Sequence, residues 1–582
     1  MQLSNSIIDT LNNMTTGKIR KFIFRTMVVI LSTFGFFSCS DFLEPKSQSE
    51  FIPSTADQLN ELLISALTEP NDNTHVGLTG GFLDILTDDI ETCGYIPQAP
   101  GDAWYGEPYV SAVYSLYTWQ PDYSTAMQKV GYPNIDNIYT SIYYKLVYVN
   151  SALDYVNKVS GSEEMKNYVK AQALALRAFY YLQLVNVYGV PYNVQPGGPG
   201  IPIRTTGAKE NRPMLRNTVQ EVYDLILSDL NESIDLFETL APMYQYRQYR
   251  PTLPMAMLLL SRAYLYMENW EQAAFYANKL INDFPQFQIK DLNDLIGTYS
   301  NVQPDAETTT NQDVRRTQRF YPDFISYNNS DVIWTYGAAA DVASITMREF
   351  MNATQASVAR IQNNNVYATL TLASTDLVGT FDAADLRLRT YFVRSLFNEP
   401  DYSQYDFSQS GVKYRAYGKL LIVDNGTGVP NIQNNRFAPQ TDARTFGLTL
   451  RITEAYLILA EAQAMLGQTA DAIQTLENIW QKRFASGKVP AYYSSGNVID
   501  VVRNERRREF CFEDLRWFDL RRWGMPQLNH TWYDVTYGDK QVYVLEQNDP
   551  AYTLPMPHTI IAANPDLTQV PLYKDGKNRL PQ

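Results

Sequence analysis

Three cysteines and three histidines are few for 582 residues, and their scatter matters more than their number. Cys39, Cys93 and Cys511 lie far apart without C-x-x-C spacing, and His75, His530 and His558 form no cluster. Neither a zinc site nor a disulfide framework is suggested, so no metal or other cofactor is implied. Parity allows a Cys93–Cys511 bridge, but nothing in the sequence brings the two together. Also missing are a P-loop, a GxGxxG in strand context, an HExxH and a GxSxG elbow, which removes support from the common motif-bearing enzyme classes. Basic charge is short as well: 48 Lys and Arg face 62 Asp and Glu, leaving a net charge of −14. Such a balance carries no electrostatic footprint for nucleic acid or an anionic membrane surface.

A long hydrophobic run is absent from the N-terminal region too. Lys18, Arg20, Lys21 and Arg25 precede an apolar stretch from Met27 to Phe37 that is too short to span a membrane and has the form of an export signal. Ser38 and Cys39 follow, so residues 1–38 read as a lipoprotein leader and Cys39 as the lipid-bearing residue. Phe36 stands where such leaders prefer Leu; an ordinary secretory leader ending near a chance cysteine is the alternative, and Met14 is an alternative start. Each buried acyl methylene would contribute about 0.8 kcal/mol, so two or more chains make a stable anchor.

What the chain has in plenty is tyrosine, 42 residues. A phenol offers an apolar face with a hydroxyl handle, suited to ligands that are partly apolar and partly wet, but a Tyr-rich helical core would use it equally. Between Gly94 and Tyr123, Trp104, Tyr105, Tyr114, Tyr117 and Trp119 are interleaved with Gly, Pro and Asp, the pattern of an exposed or semi-exposed loop carrying stacking platforms. The competing expectation is that these aromatics pin a long loop onto the core.

Helical periodicity dominates elsewhere. Ser54–Leu67, the run from Ile135 to Val156, Glu163–Tyr188 and Thr218–Leu236 repeat apolar residues at spacings of three and four. Gly189 and Pro191 predict the end of the Glu163 helix. Met255–Ile281 and Thr453–Trp480 read as helical hairpins with turns near Met267–Trp270 and Gly467. Alanines at 263, 273, 274, 277, 460, 462 and 472 permit close packing, the pattern of tetratricopeptide-like units, of which about four are expected. The fold class is therefore all-α, a tetratricopeptide-like scaffold with long irregular insertions. Its boundaries fall at about 54–285 and 450–524, with an irregular insertion at about 286–449 and a C-terminal wrap at 530–582. Polar, non-periodic sequence such as 299–312 makes the insertion a functional surface by expectation.

The most charged stretch is 501–524, VVRNERRREFCFEDLRWFDLRRWG. Seven arginines and five acids occupy the twenty positions from Arg503 to Arg522, with signs interleaved and apolar residues threaded through. Acids and arginines here can pair along a helix, as Arg516 with Asp519, and Arg forks tolerate burial. Glu505, Arg506, Glu509, Glu513, Arg516, Asp519 and Arg522 are assigned to a buried structural clamp, against the alternative of a solvated charged helix. A glycosidase would need one carboxyl with a raised pKa, and arginine neighbours act the other way.

The sequence FEDLRWFDLRRWG closely resembles the C-terminal signature of the SusD/RagB family, surface lipoproteins of glycan-uptake systems. Asp514 and Leu515 replace the commoner Gly and polar or His residue. The segment from Ser374 to Phe392 is similar to a family motif at Phe381, Asp382, Asp385 and Arg387, and Leu554–Leu567 to its closing segment, with Thr559 departing from the acidic position. The resemblance implies a non-catalytic lipoprotein of the outer membrane, facing outwards, that delivers glycans to a SusC-like TonB-dependent transporter. Part of the family implies peptide cargo instead; a surface hydrolase is the third expectation. Trp104 and Tyr105 are the leading stacking platform, with Tyr299 and Tyr327 as further candidates from the insertion, chosen by position and chemistry.

Overall fold

The computed structural model describes residues 53–67, 82–92, 114–129, 134–209, 214–244, 248–293, 329–336, 371–391, 393–394, 414–415, 448–533 and 540–582. Cys39, Cys93, Trp104, Tyr105, Tyr299 and Tyr327 lie outside them. The chain divides into two compact units, Met1–Pro53 and Ser54–Gln582.

The long helices are α1 (Ala56–Leu67), α2 (Asn134–Tyr155), α3 (Glu163–Tyr188), α4 (Val219–Glu238), α5 (Leu253–Tyr266), α6 (Trp270–Asp283), α7 (Ile452–Met465), α8 (Thr469–Trp480) and α9 (Val498–Phe510), followed by the short α10 (Arg516–Arg522). Their starts are written locally. Ser162 accepts the Met165 amide at the head of α3, and Thr218 and Glu221 form a reciprocal capping box on α4, each satisfying amide groups that a first turn leaves without partners.

Helices adjacent in sequence pack as neighbours: α2 on α3, α3 on α4, α4 on α5, α5 on α6 and α7 on α8. The stack then continues from α6 directly to α7, two helices that residues 284–451 separate in sequence. Alanines 263, 273, 277, 460, 462 and 472 are all fully buried in these seams. There Ser261 Oγ donates across the α5–α6 hairpin to the Ala273 carbonyl at 2.9 Å. The turn between α7 and α8 is made by Gly467 at φ +78°, a left-handed conformation that favours glycine. Stacked hairpins of this kind bury faces that none could bury alone, which makes the chain an all-α, tetratricopeptide-like protein.

Helix α3 is buried on nearly every side. It ends at Gly189, but the glycine is extended (φ −97°) rather than left-handed. Glycine is required there by close approach, since a Cβ would stand 2.7 Å from the Val185 carbonyl oxygen. The carbonyls at this end are gathered by two guanidinium groups from afar: Arg521 donates to those of Asn186 and Gly189, and Arg216 to that of Tyr188. Cations at a helix C-terminus complement its dipole.

Four two-stranded antiparallel ribbons decorate the described scaffold. Strand β1 (Ile90–Thr92) pairs with β3 (Thr371–Ala373), β2 (Val332–Tyr336) with β6 (Leu448–Arg451), and β4 (Val393–Arg394) with β5 (Tyr414–Arg415). The β2–β6 pair closes the insertion at its base, with Trp334 buried edge-on against Phe179 of α3 at 5.0 Å. In the C-terminal region, which the sequence reads only as a wrap, β7 (Leu528–Tyr533) and β8 (Lys540–Leu545) form a hairpin paired from Leu528↔Leu545 to Tyr533↔Lys540.

The charged stretch 501–524 is not one helix. It breaks between α9 and α10, where Phe512 and Asp514 adopt φ +63° and +58°. Asp514 therefore occupies a conformation in which glycine carries no steric cost, which accounts for the residue type that the resemblance expects there.

Candidate functional site

Of the residues assigned to ligand stacking, Trp104 and Tyr105 fall in 93–113, and Tyr299 and Tyr327 in 294–328, all outside the described residues. The structure does describe both stems of 93–113. They are Thr92, the last residue of β1, and Tyr114, and both are fastened to the β7–β8 hairpin. Thr92 Oγ1 donates to the Thr531 carbonyl at 2.7 Å, while the hydroxyls of Tyr114 and Tyr543 share a hydrogen bond of 2.8 Å. Tyr114 also stands edge-on to Trp532 and Tyr543, with ring centroids 5.3 and 5.6 Å away. Edge-to-face pairs of this kind are worth about 0.5–1.5 kcal/mol beyond their burial.

Beneath the stems lies a three-layer stack. His530 of β7 is inserted between Tyr117 and Trp119, parallel to both, with centroid separations of 4.0 and 4.1 Å. Its Nδ1 is 2.6 Å from the Tyr117 carbonyl and its Nε2 3.0 Å from that of Thr87, so one ring touches both stems. A neutral imidazole donates to one of these. Burial, against the pull of the two carbonyls, brings its pKa down to about 4. Trp119 Nε1 donates to the Leu86 carbonyl at 2.9 Å. Tyr117, Trp119 and Tyr123 are thus buried anchors, not exposed platforms, and Tyr114 is half-buried. For these residues the sequence-based expectation of an exposed loop is corrected, because the rings of Tyr114, Tyr117 and Trp119 find partners on the hairpin and Tyr123 is buried in the core. A neighbouring recess between Leu86, Trp119, Tyr123, Pro550 and Tyr573 is apolar and only about 30 Å³, room for a water or two and not for a sugar.

The charged stretch reaches the same place. Arg507 bonds Asp89 and Asp376 at 2.7 Å each, and Arg516 bonds Asp88 at 2.8 Å. Arg516 thus pairs across the fold with Asp88, not along the helix with Asp519 as its spacing suggests. Asp519 is taken by Arg506 at 2.8 Å and Arg522 at 2.9 Å. Burial works against the ionised form of Asp88, but Arg516 and Arg507 outweigh it and hold this carboxyl well below the ordinary range.

Deeper in, Glu509 accepts from Arg451 and Arg483 at 2.9 Å, Arg387 at 3.1 Å and the Tyr391 hydroxyl at 3.0 Å. Arg387 also bonds Glu505 at 2.6 Å and Asp385 at 2.7 Å, and Arg451 bonds Asp331 and Glu513 at 2.8 Å. Arg506, Glu505, Glu509, Asp519 and Arg522 are all buried. Through these contacts α9 draws together residues 331 and 385–391 of the insertion and Arg451 at the head of α7. A second group joins Arg262 to Glu454, and Arg522 to Glu461 at 2.7 Å, tying α5, α7 and α10. Burial raises the Glu505 pKa, but Arg387 and Arg508 prevail and bring it to about 2; for Glu509, Arg483, Arg451 and Arg387 do the same and hold it well below its usual range. Such carboxylates are anions near neutral pH and have no proton to offer as a general acid.

Cys511 is buried, its thiol donating to the Arg508 carbonyl. His558 is exposed at the start of a short helix. Among the described residues no group of His, Cys, Asp and Glu could hold a metal ion, and no helix is long and apolar enough to cross a membrane. What sequence reasoning missed is the His530 stack and the hairpin that carries it; the alternation of Leu528, His530 and Trp532 was its one available signal.

Comparison with known families agrees with this architecture. Residues 277–573 match the SusD family, residues 87–265 a family described as "Starch-binding associating with outer membrane", and residues 255–286 a tetratricopeptide repeat. The chain belongs to the SusD family. The SusD-like protein P2 of Formosa agariphila is 24% identical over 392 residues, 64% of this chain and 68% of that protein. Among solved structures, a SusD superfamily protein from Bacteroides thetaiotaomicron superposes with a TM-score of 0.60 at 18% identity, covering 89% of this chain and 100% of that one. A putative sugar binding protein from Bacteroides vulgatus gives 0.59 at 19% identity, covering 90% and 100%. These likenesses establish the SusD fold for the chain; its ligand is a separate question.

Proposed function

We propose that this SusD-family protein is a non-catalytic glycan-binding lipoprotein, anchored in the outer membrane through Cys39 and facing outwards, that captures oligosaccharides or polysaccharides and passes them to a SusC-like TonB-dependent transporter. The observation that carries the reading is the fastening of both stems of 93–113 to one hairpin. The residues that flank the segment holding Trp104 and Tyr105 are thereby held at closely bonded points, as suits a base that positions binding residues. Sugars would stack their apolar C–H faces on these rings while amides and hydroxyls take their hydroxyl groups. In the charged stretch Glu505, Glu509, Glu513 and Asp519 are committed to arginines. Affinity electrophoresis against neutral polysaccharides tests the proposal, with a peptide-library screen beside it. Retardation weakened by Trp104→Ala supports it, whereas stabilisation by peptides and none by glycans contradicts it. Recovery of Cys39→Ala in the soluble rather than the membrane fraction is the expected outcome for the anchor.

A further inference from the structure

Helix α2 carries tyrosines at 144, 148 and 155. These positions, four and seven residues apart, share one face of a helix and span about 16 Å along its axis. Tyr144 is 51% exposed, and Tyr148 and Tyr155 are half-buried, packed on the core with part of each ring at the surface. Tyr144 and Tyr148 are fixed to each other edge-to-face, with centroids 5.1 Å apart and the Tyr148 hydroxyl donating to that of Tyr144 at 2.7 Å. Lys158 Nζ lies 5.1 Å from the centre of the Tyr155 ring.

Along one flank runs a strap, residues 202–208. It is tied to α2 by Asn150, which donates to the Arg204 carbonyl at 2.9 Å, and by Asp154, which accepts from Thr206 Oγ1 at 2.8 Å and the Gly207 amide at 2.9 Å. Gly207 lies so close that a Cβ there would be 2.1 Å from Ser151 Oγ. The exposed Thr205 belongs to this strap. The result is a rigid aromatic ridge with a polar wall beside it.

We propose that the Tyr144–Tyr148–Tyr155 ridge of α2, walled by residues 202–208, is a second glycan-binding surface, taking a stretch of neutral polysaccharide chain. This rests on the glycan reading above and extends it from the 93–113 loop to a site on the helical scaffold. Three observations select the occupant. The three rings all bear hydroxyls, offering sugar C–H groups apolar surface and sugar hydroxyls a partner. The ridge is one helix wide and bordered by polar backbone, whereas a stable protein interface buries on the order of 1,000 Å² or more around an apolar centre. The net charge of −14 opposes a polyanionic chain. Two surfaces on one protein would hold a polymer by avidity while each releases readily.

The test uses the full chain in mild detergent, with amylopectin, xyloglucan, galactomannan and laminarin as polymers and their short oligosaccharides as monovalent probes. Replacing Tyr144, Tyr148 and Tyr155 together by Ala lowers affinity for the bound polymer by about tenfold or more while leaving oligosaccharide affinity unchanged. Tyr144→Ala alone, at the most exposed ring, gives a smaller fall in the same direction with an unshifted melting temperature, and Tyr144→Phe restores most of it. A wild type that binds a polymer and a triple variant that binds it equally well overturn the ridge and leave the function standing. A wild type that binds none of the polymers overturns both. Loss of co-purification with a transporter, at unchanged polymer affinity, overturns the ridge as a glycan surface and makes it a protein contact.

Discussion

The two regions that the charged stretch connects are held by opposite means. Around α9 and α10 the contacts are ionic: Glu509 alone meets three arginines from three segments. Under the 93–113 stems the central contact is aromatic, a His530 ring between Tyr117 and Trp119, with the ion pairs of Asp88 and Asp89 beside it. A buried ion network demands that every partner be present, so it fixes distant segments in one arrangement. A stack of rings demands shape and dryness, and it joins the two stems without requiring that its members be ionised.

The contrast can be broken first at its ionic end. Glu509→Ala leaves Arg387, Arg451 and Arg483 without a shared anion and is expected to cost about 3–5 kcal/mol, the range for removing one partner of a buried pair, seen as a large fall in denaturation midpoint. If the variant unfolds at the wild-type midpoint, the network is not holding the insertion to the scaffold.

Acid separates the two regions next. Glu505 is brought from 4.5 to about 2 by its arginines, so its contribution is fully present above pH 4.5 and is lost as pH falls through about 2, a loss of about 3 kcal/mol. His530 is lowered from 6.5 to about 4, so its contribution to the stem region is fully present above pH 6.5 and is lost as pH falls from 6.5 to about 4, before that of Glu505. Hydrogen exchange of the Thr87–Thr92 and Leu528–Tyr533 amides followed over pH is expected to accelerate in the higher window, and the α9 amides in the lower. Coincident windows would deny the distinction.

The smallest effect lies outside both regions. Thr218→Ala removes the capping box of α4 and is expected to cost about 1 kcal/mol by thermal denaturation, with no change in either pH window.

The helical scaffold was legible because it is repetitive: period, alanines at the seams and cap residues all point one way, and Gly467 and Asn269 fall at the hairpin turns. The clamp was legible in composition and only partly in connection. Arg451, Arg483 and Arg387, which complete it, lie outside the charged stretch, and helical spacing pointed Arg516 to Asp519 when its partner is Asp88. Pairing across hundreds of residues leaves no periodic trace. The aromatic loop was legible as a cluster, but aromatic identity does not say which rings face inwards. Tyr117 and Trp119 turned out to be the floor. His530, which has no other histidine near it in sequence, is the piece between them.

The most direct test of the account is binding of a neutral polysaccharide panel by wild type and Trp104→Ala, with melting temperatures measured alongside. Retardation of the wild type by one polymer, weakened at least severalfold in the variant at an unchanged melting temperature, is the expected result. Equal retardation of both proteins, or none of the wild type by any polymer, would contradict it.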